Sequence, residues 1–276
     1  MPSSLEWRRY FESNAGSLLE IPWHLGAELT ADETAAIARS LKEFQAGESS
    51  EGKHLYRDSQ RYSERTGDRE YLAAIRLFIA EEQRHARDLA RFLTLNGIPL
   101  VKTTFTDRVF RRMRHLVGGL EVSIAVLITA EIIAEAYYAA LREATRSAIL
   151  RRVCDQLLSD EVRHVEFQAD RLRELRAGRR PLGRAATEGL QRFLYFGTVL
   201  VVWLFHRSAI RRGGLSFRSW WNSCWREFDG AFRADPPALP VATSAALGGR
   251  AQSFDLSLTG APPVLAFESE PGDPRR

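Results

Sequence analysis

Two cysteines, Cys154 and Cys224, are all that the 276 residues contain. That scarcity excludes a disulfide scaffold, a zinc ribbon and a cysteine-ligated iron–sulfur cluster, and it fits a reducing compartment. Methionine is as scarce, with Met1 and Met113 alone, so a methionine-ligated haem is poorly provided for. Excess charge is lacking too. The 39 Lys and Arg against 35 Asp and Glu leave a net charge of +4, too mild to argue for nucleic acid. The opening residues, Met1 to Arg9, hold no apolar stretch of the signal-peptide kind, which gives the expectation of a cytoplasmic location. The longest uncharged apolar run is the thirteen residues from Phe193 to Phe205, short of the roughly twenty that span a bilayer. A buried helix is expected there, with an interfacial helix as the alternative.

What the chain does have is helical punctuation. Thr30 and Glu33 form a capping-box pattern, and helical periodicity follows from about Ala31 to Glu64, with Gly47 and Gly52 as soft spots. A second helix is expected from about Arg69 to Leu95, stopped by Asn96-Gly97-Ile98-Pro99. A third runs from about Asp107 to Thr145 with a break at Gly118-Gly119, and a fourth from Ser147 to Gly178. A fifth covers Ala185 to Arg212, and a short aromatic sixth follows Ser216. No segment alternates in strand fashion, so the fold class is all-α. The organisation to expect is an N-terminal segment, residues 1–30, laid over a core; a helical unit over 31–178; accessory apolar and aromatic helices over 184–232; and a tail, 235–276, of disordered composition.

Arginines cluster near the ends of these helices: Arg111, Arg112 and Arg114; Arg179, Arg180 and Arg184; Arg207, Arg211 and Arg212. The plain reading is a favourable interaction with helix C-terminal dipoles. The sharper one is peripheral contact with an anionic membrane surface.

One pattern occurs twice. Glu81-Glu82-Gln83-Arg84-His85 and Asp160-Glu161-Val162-Arg163-His164 both read acid-Glu-x-Arg-His. Residues three apart share a helix face, so Glu82 with His85, and Glu161 with His164, can each bind a metal from one helix. Each pair is preceded by a further carboxylate one helical hairpin upstream. Glu131 stands 30 residues before Glu161, in the nearly wholly apolar stretch Val126 to Tyr138, and Glu48 stands 34 residues before Glu82. A carboxylate in such a stretch must be paired, neutral or metal-bound, because an isolated buried charge is very costly. The spacing amounts to a degenerate duplication of a helical hairpin. Four Glu and two His suit non-haem iron or manganese. A ligating imidazole needs its other N–H held by a carboxylate. Asp160 can do this for His85, and Glu81 for His164, with Arg84 and Arg163 balancing the buried acids; ordinary surface ion pairs are the alternative.

The set resembles the ferritin-like di-iron carboxylate superfamily. Ala46-Gly47-Glu48-Ser49 with Ala80-Glu81-Glu82-Gln83-Arg84-His85-Ala86 is similar to rubrerythrin, and Asp160-Glu161-x-Arg163-His164 is similar to the motif of di-iron oxygenases. The resemblance covers about residues 31–177. It implies a ferritin-like four-helix bundle with additional C-terminal helices, and metal-ligand roles for Glu48, Glu82, His85, Glu131, Glu161 and His164. It also implies two iron ions, with manganese–iron as an alternative, and an oxidoreductase that takes O2 and a small organic substrate. A ferroxidase or peroxidase of rubrerythrin or bacterioferritin type is the competing expectation. A non-enzymatic helical or membrane-surface module is the third. An electron-donor protein and a second copy of the chain are compatible partners.

Several residues compete for roles. Glu51 rivals Glu48 on the first helix. Glu135 is an extra carboxylate near the metals, a proton relay, or half of an ion pair with Arg142. Tyr138 reads as a core tyrosine, with a redox role as the alternative. His24, His54, His115 and His206 lack a Glu three residues before them and read as surface or core residues. Cys154 reads as a small buried hydrophobe.

Overall fold

Side-chain caps decide where the helices begin. Ser3 and Glu6 close a capping box ahead of helix α1 (Ser4–Asn14), and Thr30 and Glu33 do so ahead of α2 (Ala31–Glu48). Helix α3 is Lys53–Thr66. Asp68 accepts from Tyr71 N to start α4 (Arg69–Leu95), and Ser147 accepts from Leu150 N to start α6 (Ala148–Ala177). Between them α5 (Leu120–Ala144) follows Gly119. Pro181 opens α7 (Pro181–Arg212), and Ser216 caps α8 (Phe217–Ala231). A short 3-10 turn, Trp23–Leu25, links α1 to α2. The computed structural model describes residues 1–49, 52–101 and 119–232, and no strand occurs among them. The tail expected over 235–276, the start of the third expected helix, His115 and the rival ligand Glu51 lie outside the described residues.

Two expectations about helix limits change. The single helix expected from Ala31 to Glu64 is two helices. Gly52 adopts φ +60°, and a Cβ there would lie 2.9 Å from the Ile79 side chain. Both the left-handed backbone and the tight contact therefore call for glycine at this joint. The fifth helix begins at Pro181 rather than at residue 185, because proline has no N–H to lose in the first helical turn.

Helices α2, α4, α6 and α5 close a ring in which each packs on the next: α2 on α4, α4 on α6, α6 on α5, and α5 back on α2. Helix α1 lies on α4 and buries Trp7 and Phe11, while α7 lies on α5 and α2, and α8 on α5 and α7. The core is correspondingly aliphatic and aromatic, with Leu41, Phe78, Leu89, Ile128, Tyr137, Leu157 and Phe167 all buried. At the end of α7, Gly213 touches α5 so closely that a Cβ would lie 2.1 Å from Ala140 O. By length and composition α5 and α7 are apolar enough to cross a membrane. Most of α5 is buried in the body, however, and α7 buries one face, with Tyr195, Val199, Trp203 and Ile210.

Candidate metal centre

The ring of four helices brings carboxylates and imidazoles into one place. On α4, Glu82 and His85 share a face, as do Glu161 and His164 on α6, and one ligand atom from each of the four lies within 4.8 Å of the others. His85 Nδ1 is 3.5 Å from Glu82 Oε1 and 3.4 Å from Glu161 Oε1. His164 Nδ1 is 3.0 Å from Glu82 Oε1 and 3.7 Å from both Glu131 Oε2 and Glu161 Oε2. Glu131, from α5, accepts the Gln168 amide at 3.1 Å and stands beside Glu161. Glu48, the last residue of α2, accepts the Tyr138 hydroxyl at 2.5 Å and stands beside Glu82. Of the six residues singled out by spacing, Glu82, His85, Glu161 and His164 form the cluster, Glu131 stands 3.7 Å from His164, and Glu48 lies beside them at the end of α2.

Burial is graded across the set. His85, His164 and Glu161 are fully buried and Glu131 nearly so, whereas Glu48 and Glu82 keep partial exposure.

The charges are mutually strained. Burial, then the charge of Glu131, pushes Glu82 up to about 8. Burial likewise raises Glu48 to about 7 against the Tyr138 hydrogen bond. Glu161 is raised well above the carboxylate range by burial and by Glu131. Burial opposes ionisation of Glu131, but the nearness of Glu161 and His164 and the Gln168 amide outweigh that and lower it. Burial disfavours the His164 imidazolium, but the surrounding carboxylates of Glu131, Glu161, Glu81 and Glu82 outweigh that and raise it well above its ordinary value. Four carboxylates crowded in low dielectric cannot all ionise without a compensating cation.

The outer nitrogens are held crosswise. His85 Nε2 on α4 lies 3.0 Å from Asp160 Oδ2 on α6, and His164 Nε2 on α6 lies 3.0 Å from Glu81 Oε2 on α4. Arg84 reaches Asp160 at 2.5 Å, and Gln156 donates to both of its oxygens. Although burial opposes it, hydrogen bonding by His85 and the charges of His85 and Arg84 hold the Asp160 carboxyl well below its usual range. Arg163 departs from the expected pattern. It pairs with Glu166 at 2.6 Å and lies over the Tyr10 ring. Glu81 is already satisfied at both oxygens, by His164 and by Asn14.

Asn14 is the residue the sequence did not disclose. From the C-terminal end of α1 its amide nitrogen donates to Glu81 Oε1 at 2.7 Å and to Asp160 Oδ1 at 2.9 Å. One NH2 group, with two hydrogens, therefore joins the acids behind both histidines. A single polar residue on an N-terminal helix carries no periodic signal that would have found it.

The atoms that face inward lack partners. His85 Nδ1, His164 Nδ1, Glu82 Oε1 and both oxygens of Glu161 are buried without a hydrogen bond of good geometry. Buried polar atoms in native proteins are almost always satisfied, and here the orphans converge on one point with the chemistry of metal donors. The cluster can hold a metal ion.

The other candidates separate from it. The expected partner of Glu135, Arg142, is taken by Asp155 and Glu143. Glu135 is raised to about 8 by burial and by its neighbours Glu227 and Glu131. His24 is exposed, His54 meets Arg57, and His206 is buried against Ser40. Cys154 is buried as a free thiol. A cavity of about 510 Å³ between α6, α7 and α8, lined by Arg176, Arg192 and Phe228 among others, includes none of the clustered residues.

No protein-family model, curated protein or solved structure matches the chain.

Proposed function

We propose that the chain is a ferritin-like protein holding two iron ions and that it oxidises a small organic substrate with O2. The observation that carries this reading is the set of orphaned buried donor atoms, contributed by paired Glu-x-x-His turns and facing one another inside a ring of four helices. Glu82, His85, Glu161 and His164 would hold the metals, with Glu48 and Glu131 beside them. Four carboxylates and two neutral imidazoles balance the charge of two divalent ions, so binding would relieve the repulsion among Glu48, Glu82 and Glu161. Redox-active metals in this ligand set supply electrons for the reduction of O2.

The chain's own residues prepare the site. Asp160 and Glu81 accept the Nε2–H of His85 and His164, which fixes the tautomer and turns each Nδ1 lone pair inward. Arg84 offsets the charge of Asp160. Tyr138 donates to Glu48 and restrains that carboxylate. Phe11 and Phe78 pack on the His164 ring, with Phe167 behind Phe11, and keep water from it.

Metal content tests the proposal. Protein expressed with iron is expected to carry about two irons per chain, as a duplicated set of two Glu and one His implies, and to lose them in Glu161→Ala and His85→Ala. Oxidation of the reduced protein by O2, with and without candidate organic substrates, separates the chemistries. Accumulation of a ferric mineral would place the chain among ferroxidases instead. Absence of bound metal, with both variants as stable as the parent, would leave the Glu-x-Arg-His pairs as structural ion pairs.

A further inference from the structure

Half of α7 is uncovered. Leu190, Phe193, Gly197, Val201 and Leu204 recur at intervals of three and four, and so form one stripe. Of these, Phe193 is 73% exposed, Leu190 66% and Leu204 58%. Phe196 and Phe205, also exposed, flank the stripe, while Gln191, Tyr195, Val199, Val202 and Trp203 occupy the buried face behind it. At 1.5 Å per residue the stripe from Leu190 to Phe205 is roughly 22 Å long. Helix α8 extends it, with exposed Phe217 packed on Trp203 and Trp221 packed on Phe196. Scattered exposed apolar residues need no explanation, but a continuous patch of large ones marks an interaction surface.

Charge identifies the partner. Residues 179–218 hold eight arginines and no lysine, against the single acid Glu188. The whole chain is only +4, so the rest of it is net acidic and the basic excess is concentrated here. The arginines bracket the stripe: Arg180 and Arg184 at one end, Arg207, Arg211, Arg212 and Arg218 at the other, all exposed. Pairing the stripe with a second copy brings basic ends together in either orientation, since both ends carry the same sign. An anionic surface opposes neither end.

We propose that this face of α7 and α8 docks on an anionic lipid bilayer. The helix lies along the surface, Phe193, Leu204 and their neighbours enter the boundary of the acyl chains, and the arginines meet the headgroups. The inner face of α7 stays packed on the body, so the helix lies on the membrane rather than across it.

Co-sedimentation of the 276-residue chain with vesicles tests this. Vesicles of phosphatidylcholine and phosphatidylglycerol are expected to retain the protein, vesicles of phosphatidylcholine alone much less, and added salt to release it. Arg207→Gln and Arg211→Gln should each weaken binding about five-fold, and Phe193→Ser about ten-fold or more. Unchanged circular dichroism and metal content in these variants would separate loss of docking from loss of fold or site. Failure to bind the anionic vesicles even at low salt overturns the proposal. A stable dimer dispersed by Phe193→Ser, with no vesicle binding, overturns it and assigns the stripe to a second copy.

Discussion

His85 is held by Asp160 from the facing helix, Nε2 to Oδ2, at 3.0 Å. Asp160 also takes Arg84 and both contacts from Gln156, so its carboxylate is positioned independently of the imidazole. Asp160→Asn keeps the shape and removes the charge that favours an inward Nδ1 lone pair. Metal affinity is expected to fall about 10- to 100-fold, measured by competition with a chelator, with helix content retained. Unaltered affinity would remove Asp160 from the support of the site.

Asn14 offers a complementary test, because it touches neither histidine. Asn14→Ala leaves Glu81 and Asp160 each short of one donor, and the expected cost is about 1–3 kcal/mol in chemical denaturation. Asn14→Asp should cost more, since it places a third carboxylate against two others. Both variants should weaken metal binding at both halves of the site together. A variant that loses one histidine's metal and keeps the other's would contradict the bridging role.

Protons and metal compete for the same atoms. Without metal, burial raises Glu48 to about 7 and Glu82 to about 8, and Glu161 and His164 are both raised well above their ordinary values. Metal binding at neutral pH must therefore expel protons. Affinity should rise as pH increases through 7 to 8 and fall in acid. Titration calorimetry in buffers of different ionisation enthalpy measures the protons released; a value near zero would mean that the carboxylates are already free.

His206 gives a pH effect outside the metal site. Its Nδ1 meets Ser40 Oγ at 2.9 Å, its Nε2 is 3.7 Å from Glu43, and burial, then the charge of Arg39, lowers it to about 4 from 6.5. The folded state thus binds this proton less readily than the unfolded chain. The stability it contributes is complete above pH 6.5 and is lost as pH falls from there toward 4. Between pH 7 and pH 5 the parent should lose about 2 kcal/mol more than His206→Phe, measured by urea denaturation at each pH. Parallel pH profiles would exclude the effect.

Two glycines on α7's path should respond oppositely to alanine. Gly213→Ala drives a methyl into Ala140 O and should destabilise by about 3 kcal/mol. Gly189→Ala, exposed in the helix with no neighbour within 4 Å of a Cβ, should stabilise by about 0.5–1 kcal/mol. Thermal unfolding of the pair reads both, and equal shifts would contradict the close approach of α7 to α5.

The helical class and most helix ends were legible because caps and periodicity are local. The meeting of Glu82, His85, Glu161 and His164 was legible because three-residue spacing is a property of one helix and the pattern repeats. Even the crosswise acids could be read, since a ligating imidazole requires an acceptor behind it. Other features depend on which elements touch. Asn14 reaches the site only because α1 lies on α4. Arg163 turns to Glu166 because Asn14 has already satisfied Glu81. The joint at Gly52 arises from its contact with Ile79 on another helix. The composition of α7 likewise shows that it is apolar but not which side is covered.

The crosswise support of the histidines has a consequence for how such a site comes to exist. Glu81 of one helix serves His164 of the other, and Asp160 serves His85 in return. That exchange, in which position i meets j and j meets i, is the signature of an isologous contact about a two-fold axis. Each hairpin carries half of every requirement: one upstream carboxylate, one Glu-x-x-His turn and one acid to lend. A lone hairpin would leave its own imidazole unsupported, whereas two identical ones facing each other would complete both. In this one exchange the chain reproduces, within a single polypeptide, the reciprocity of a two-fold contact.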